Sequence, residues 1–394
     1  MTIRSSLIVN SFVFSLCLTT SLAFGEEQGG ASIFENVAAA MKKSVAEGEV
    51  AGIVTLIATD KSVVHLHAVG NADINNKKPM MSDSIFWIAS MSKPITGACI
   101  MILQDDRKLS LDDPITKHLP TMSDLKMADG KSPVITIRHL LTHTSGMAEL
   151  KADEAYTAKT LEEAASRYAK VPILFEPGSK WQYSQTSINT AARIVEVASG
   201  MPFDQFVQTR LCEPLGMRDT TFYLSDTQMT RLAKSYTKAK DGPLEETVIK
   251  LLSGKLPTDR NRFPAGNGGL FSTASDYARF CQMLLNGGQS NGKRILSEDA
   301  VKTMRTIATG DLVPGFTPGN GWGIACCVVR EPNGVTAMLS PGTFGHGGAY
   351  GTQAWIDPVK HRVYILMIQR ANLPNADGFD LRRVFQEEAN KALE

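Results

Sequence analysis

Ile88-Ala89-Ser90-Met91-Ser92-Lys93-Pro94 is the stretch on which the reading of this chain turns. It opens an apolar run, Ile95 through Ala98, Cys99, Ile100, Met101, Ile102 and Leu103. A serine followed three residues later by a lysine places a hydroxyl and an amine on one face of a helix's first turn. Pro94 supports the placement, because a missing backbone N–H is tolerated where the first turn has no acceptor to offer it. Ser90 is therefore expected at a helix N-terminus, where unsatisfied N–H groups carry partial positive charge. The run that follows is apolar nearly all round, which predicts a helix buried in a large protein. Serine is a poor nucleophile until a base takes its proton, and lysine serves only when desolvation or a neighbouring cation brings its pKa toward neutrality. An isolated S-x-x-K also has a plain alternative, a helix cap followed by a solvated lysine.

Two stations further along carry related chemistry. Trp181-Gln182-Tyr183-Ser184-Gln185 precedes a segment in which Ile188, Ala191, Ala192, Val195 and Ala198 recur at helical spacing. Tyr183 then lies on a connector entering a helix, where side chains reach into clefts. A tyrosine near a lysine cation can lose its proton at lower pH than usual and act as a base, although taken alone such a tyrosine is more often a packed aromatic with a satisfied hydroxyl. Gly345-His346-Gly347-Gly348-Ala349-Tyr350-Gly351-Thr352 leads into a strand. Glycine at this density lets backbone approach a ligand, and a free amide such as that of Ala349 can face an oxyanion; a flexible turn is the alternative.

The chain has 394 residues, 43% hydrophobic and 21% charged, which suits one large core or two smaller ones and excludes a disordered or fibrous chain. Its net charge of +1 gives no reason to expect nucleic acid or an anionic membrane as partner, so a small molecule is expected. Residues 1–25 read as a secretory signal, with Arg4 at the positive start, Leu7 to Leu22 as the apolar stretch and Ala23-Phe24-Gly25 as the cleavage site. The mature chain is expected to begin near Glu26, exported to the periplasm or secreted, without stable membrane insertion. After Cys17 in that leader, Cys99, Cys212, Cys281, Cys326 and Cys327 are odd in number and lack metal spacing, so they read as buried small hydrophobes. Cys326 and Cys327, adjacent on a strand, would point to opposite faces.

In order, the pattern is a helix from Ile33 stopped at Gly48, then a hairpin of Gly52 to Thr59 and Ser62 to Val69, then a short strand at Ile85 to Ile88. From Leu109 to about Arg262 helical patterns dominate, at Leu161 to Ala169, Ser187 to Ser199 and Phe203 to Leu211. Gly266 to Phe271 reads as a tight loop before helices at about Ser275 to Leu285 and Glu298 to Arg305. Trp322 to Arg330, Val335 to Leu339, Gln353 to Ile356 and Val363 to Gln369 are expected as four antiparallel strands, and a helix at about Phe379 to Leu393 closes the chain.

Taken together, these stations resemble the superfamily of class C β-lactamases, D-alanyl-D-alanine carboxypeptidases and family VIII carboxylesterases, which are β-lactamase-related serine hydrolases. Ile88 to Thr96 is similar to the nucleophile motif and Leu109-Ser110-Leu111-Asp112-Asp113-Pro114 to the segment that follows it. Ile137-Arg138-His139-Leu140-Leu141-Thr142-His143-Thr144-Ser145-Gly146 and Gly268-Gly269-Leu270-Phe271-Ser272-Thr273 are further hallmarks. The resemblance spans about Ile33 to Met367. It implies a two-lobed α+β fold of the β-lactamase and penicillin-binding-protein type: residues 26–108 and 263–394 form a lobe with a central antiparallel sheet flanked by helices, and residues 109–262 an inserted all-helical lobe. It implies Ser90 as the acylated nucleophile, Lys93 as its proton acceptor, Tyr183 as the second acid/base group, and the amides of Ser90 and Ala349 as the oxyanion hole. It implies no cofactor and no metal.

Two departures bear on substrate. His346-Gly347-Gly348 stands where β-lactamases carry Lys-Thr-Gly, and Gln185 where they carry asparagine, so all four are expected at the substrate. A histidine mostly neutral at pH 7 and a glycine without hydroxyl deprive a substrate carboxylate of its point charge, while uncharged esters lose nothing. A carboxylesterase is therefore expected. The alternatives are a β-lactamase or D-alanyl peptidase acting on peptidoglycan stems, and a catalytically idle sensor that kept the fold. An α/β-hydrolase is disfavoured because no G-x-S-x-G occurs. His65 with His67 could suggest a metal, but without a nearby carboxylate partner a surface pair is the more frequent case, and His139 with His143 falls inside the hallmark segment, where the resemblance implies a structural role. Loops at about Ala148 to Thr160 and Leu224 to Phe263 are expected to shape the acyl pocket.

Overall fold

Alternation along the strands decides the layering. In β1 (Gly52–Thr59) Val54, Leu56 and Ala58 join one core while Ile53 and Ile57 join another, so both faces of this strand are covered. The computed structural model describes residues 33–394 except Asp241 and Phe316. The expected leader at 1–25, with Cys17, lies outside the described residues. Beside β1 run β2 (Val63–Asp73), β3 (Lys78–Pro79), β4 (Asn320–Trp322), β5 (Cys327–Val329), β6 (Phe344–Gly347), β7 (Gln353–Asp357) and β8 (Arg362–Met367). They form one antiparallel sheet in the order β4-β5-β6-β7-β8-β1-β2-β3, so both ends of the chain meet where β8 pairs with β1.

Helices cover the two faces. On one side α1 (Glu35–Ala46) packs with the C-terminal helix Asp380–Lys391 around Val37, Met41, Trp355, Tyr364, Leu366 and Phe385. On the other lie α2 (Ser92–Asp105), buried from Ser92 to Leu103, and the helix Ala274–Leu285. Thr273 caps the latter through a bond from the Asp276 amide. The regular elements of the intervening segment are mainly helices, including Leu161–Tyr168 and α3 (Gln185–Ser199), which packs against α2. It also carries a hairpin, Ser235–Lys238 with Leu244–Thr247, that the helical pattern does not announce. Residues 33–394 form one compact unit. Among the described residues no helix is long and apolar enough to cross a membrane.

Three sequence expectations change. Trp322 to Arg330 is two strands, because Ala325 adopts φ +54° and the Gly323 amide bonds to Cys326 O at 2.9 Å, folding the chain back. Val335 to Leu339 is no strand: Gly334–Thr336 is a 3-10 turn held by a capping box between Asn333 and Thr336. Conversely Phe344–Gly347, expected only as a glycine-rich approach to a strand, is itself strand β6 between β5 and β7. A side-chain carbon on Gly345 would lie 2.0 Å from Ala354 O, so glycine is required for this pairing. All five cysteines of the described residues are buried and free, with Cys326 and Cys327 in different cores.

Candidate active site

Ser90 stands two residues ahead of α2, in a 3-10 turn Ala89–Met91, rather than in the first turn of the helix itself. Ala89 has φ +46°, a left-handed conformation costly for a residue with a Cβ. The surrounding loop over-determines it. Ile88 N donates to Leu270 O at 3.1 Å, Trp87 Nε1 to Gly268 O at 2.7 Å, and Tyr277 Oη to Met91 O at 2.8 Å. The tight loop at Gly266 to Phe271 thus wraps the serine's turn.

Lys93 is fully buried, and its Nζ donates to Ser90 Oγ at 3.0 Å, Gln185 Oε1 at 2.9 Å and Asn267 O at 2.7 Å. All three acceptors are neutral, so burial lowers its pKa to about 7, with Glu149 and Asp377 pulling the other way. At neutral pH a large share of this amine is unprotonated and can accept the Ser90 proton. Tyr183 closes the group: its ring lies under Lys93 Nζ at 4.6 Å, and its hydroxyl is 3.4 Å from His346 Nε2. The expectation that a lysine cation lowers the Tyr183 pKa is overturned. Burial pushes the phenol well above its ordinary value, and a hydrogen bond with Ser90 opposes this only in part. The arrangement therefore pairs a poised amine with a protonated phenol, a base beside a proton donor.

His346 on β6 is buried and its pKa falls to about 3, from burial first and Lys93 second. Its Nδ1 lies 2.6 Å from Gly347 O, a carbonyl that only accepts, so Nδ1 carries the proton and Nε2 faces Tyr183 as an acceptor. Gly347, Gly348 and Ala349 follow on the cavity wall with Ser90, and the Gly348–Thr352 turn is pinned to Ile88 O through Thr352 Oγ1 at 3.3 Å. Among the described residues neither the Ser90 nor the Ala349 amide donates to a backbone carbonyl outside helices and strands. The expected set Ser90, Lys93, Tyr183, Gln185, His346, Gly347, Gly348 and Ala349 is thus brought to one place.

The cavity above Ser90 measures about 400 Å³, room for a small molecule. Its outer wall is not the expected pair of loops: Gly315 and Pro374 to Asp377 line it instead, placed there because the Asp377 stretch leads into the C-terminal helix. Sequence reasoning also missed supporting residues. His143 Nδ1 accepts from Ser184 N at 3.1 Å, and its ring, neutral because burial holds its pKa well down, packs 4.4 Å from Tyr183. His139 instead closes the capping box of Ile137–Leu141, and His65 bonds Thr55 on the sheet at 2.9 Å. Glu149 accepts from the Gln185 amide at 2.6 Å and from Thr186 Oγ1 at 3.1 Å, anchoring the start of α3. Asn267 Nδ2 donates to Gln185 Oε1 at 2.8 Å. Position within the recognised segment was the available signal for His143; Glu149 and Asn267 had none. Among the described residues no group of three or more His, Cys, Asp or Glu could hold a metal ion.

The chain resembles known proteins over most of its length. A family model described as Beta-lactamase matches residues 37–389. Esterase EstB of Burkholderia gladioli is 29% identical over 355 residues, 83% of this chain and 88% of that protein. A putative D-alanyl-D-alanine carboxypeptidase of Escherichia coli K12 is 28% identical over 351 residues, 82% of this chain and 79% of that protein. Among solved structures, EstCE1, described as a hydrolase with promiscuous acyltransferase activity, superposes with TM-score 0.78 at 27% identity, covering 92% of this chain and 98% of that one. With its fold, its Ser90–Lys93 contact and relatives of both the esterase and the carboxypeptidase kind, the chain belongs to the Beta-lactamase family of serine hydrolases.

Proposed function

We propose that the protein is a carboxylesterase that cleaves small uncharged esters through an acyl-enzyme on Ser90. The observation that carries the reading is the wall opposite Ser90: His346, where a carboxylate-binding lysine would stand, is buried with its pKa at about 3 and so offers no positive charge. Ser90 Oγ attacks the ester carbon while Lys93 Nζ takes its proton, and the amides of Ser90 and Ala349 receive the carbonyl oxygen as it becomes an oxyanion. The alcohol leaves with the proton that Tyr183 supplies and Lys93 restores. Water then enters, gives its proton back along the same route, and releases the acid. Gln185 holds Lys93 Nζ in register at 2.9 Å.

The relatives named as carboxypeptidases keep a D-alanyl peptidase in view, and one panel separates the readings. Turnover of p-nitrophenyl acetate and butyrate by the wild type, lost in Ser90→Ala with a matching mass shift of trapped acyl-enzyme absent, is the expected outcome. Faster turnover of nitrocefin or of a D-alanyl dipeptide than of either ester would overturn the ester reading. No turnover of any of them would favour an idle binding protein. Export belongs to the same proposal: the leader pattern at 1–25 predicts a mature N-terminus near Glu26, which N-terminal sequencing of the protein recovered from a bacterial periplasm or medium would check.

A further inference from the structure

The third wall of the cavity carries a feature that the nucleophile chemistry does not use. Asp377 lines the cavity, and among the described lining residues it is the only carboxylic acid; burial raises its pKa, while the charge of Arg382, a hydrogen bond from Gln353 and the charge of Lys93 oppose that and favour the carboxylate. Lys93, the nearest amine of the site, lies beneath the surface of the cavity with no exposure. The carboxylate is built into place. Its Oδ1 sits so close to Gly347 that a side-chain carbon at that position would fall 1.8 Å from it. Gln353 hydrogen-bonds the carboxylate and sends Nε2 to Ala376 O at 2.6 Å. Arg382, wholly buried and stacked 4.0 Å over the Trp355 ring, holds the Asp377 backbone oxygen through Nη1. The Arg382 guanidinium favours the ionised Asp377 carboxylate through its charge. A carboxylate has about four acceptor positions, and this one lies on the cavity wall, within reach of whatever occupies the cavity.

We propose that Asp377 is a specificity residue: its carboxylate, lodged in the space that Gly347 leaves beside β6, makes the site prefer esters or amides carrying an ammonium group and reject those carrying a carboxylate. The inference rests on the reading of Ser90 as nucleophile and deepens it, since a missing cation explains only indifference to carboxylates, whereas a facing anion repels them. It also accounts for glycine at 347, because any side chain there would displace the acid.

Matched phosphonates test this without depending on ester preference. Three p-nitrophenyl alkyl methylphosphonates, with chains ending in trimethylammonium, tert-butyl or carboxylate, differ in charge while keeping one reacting centre. In each case the Ser90 Oγ–P bond forms, the P–O bond to p-nitrophenolate breaks, and Lys93 takes the serine proton. The expected order of second-order inactivation rates is cation, neutral, anion, about tenfold apart at each step at low salt, shrinking as salt is raised. Asp377→Asn, checked for an unchanged melting profile, should bring the three rates together. Equal rates in the wild type, an anion faster than the neutral probe, or an order that survives Asp377→Asn would overturn the proposal. The wild-type order stands as a test even if the variant folds poorly. Rapid labelling of Ser90 with the expected charge order but no ester turnover would instead sink the ester reading alone.

Discussion

Lys93 can accept the Ser90 proton only when it is unprotonated, and burial holds its pKa at about 7. The sign follows: kcat/KM rises with pH as the amine loses its proton, levelling above neutrality, and His346, at about 3, adds no limb in this range. Tyr183, pushed well above its ordinary value, places no downturn before strongly alkaline pH. A flat profile between mildly acidic and neutral pH, measured with a p-nitrophenyl ester, would remove Lys93 from the role of base. Lys93→Ala should lower kcat by about 10²- to 10⁴-fold, with melting followed in parallel. Ser90 and Lys93 were legible in the sequence because they are neighbours along the chain, three residues apart where a turn leads into one helix. The protonation state of Tyr183 was not, because it depends on how deeply the other segments bury it.

At the scale of elements, α3 positions Gln185 against Lys93, and Glu149 holds the start of α3 through the amides of Gln185 and Thr186. Glu149 also raises the Lys93 pKa through its charge. Glu149→Gln keeps an acceptor but removes that charge, so the acid limb of the pH profile should move to lower pH, while stability falls by about 0.5–1 kcal/mol in urea melts. A limb that stays in place would mean that Glu149 acts only as a cap. Helices were the more readable elements: α2 is apolar nearly all round and α3 carries an apolar face at the expected spacing. Strand β6 was not readable, because Phe344-Gly345-His346-Gly347 lacks strand composition and is a strand only by pairing on both sides with β5 and β7.

Across the whole molecule, the sheet separates two cores, and the chain's ends close the one built around Trp355 and Phe385. Phe385 is buried there with Val37, Met41 and Trp355, on the helix that follows Asp377. Phe385→Ala should cost about 3–5 kcal/mol in equilibrium unfolding. Its loss should weaken the charge discrimination of Ser90 labelling more than the labelling itself, since Arg382 on the same helix fixes the Asp377 backbone. Equal loss of both would show that the helix supports the nucleophile as well. The sequence by itself determined the nucleophile turn, the helix behind it and the alternation of strands, because each is written in residues close together along the chain. Only the tertiary structure decided that burial brings the Lys93 pKa to about 7 and that of His346 to about 3, and that Asp377 lines the cavity. Desolvation and Coulomb interaction depend on which distant segments are packed around a group, and Lys93, His346 and Asp377 meet only after the sheet has closed.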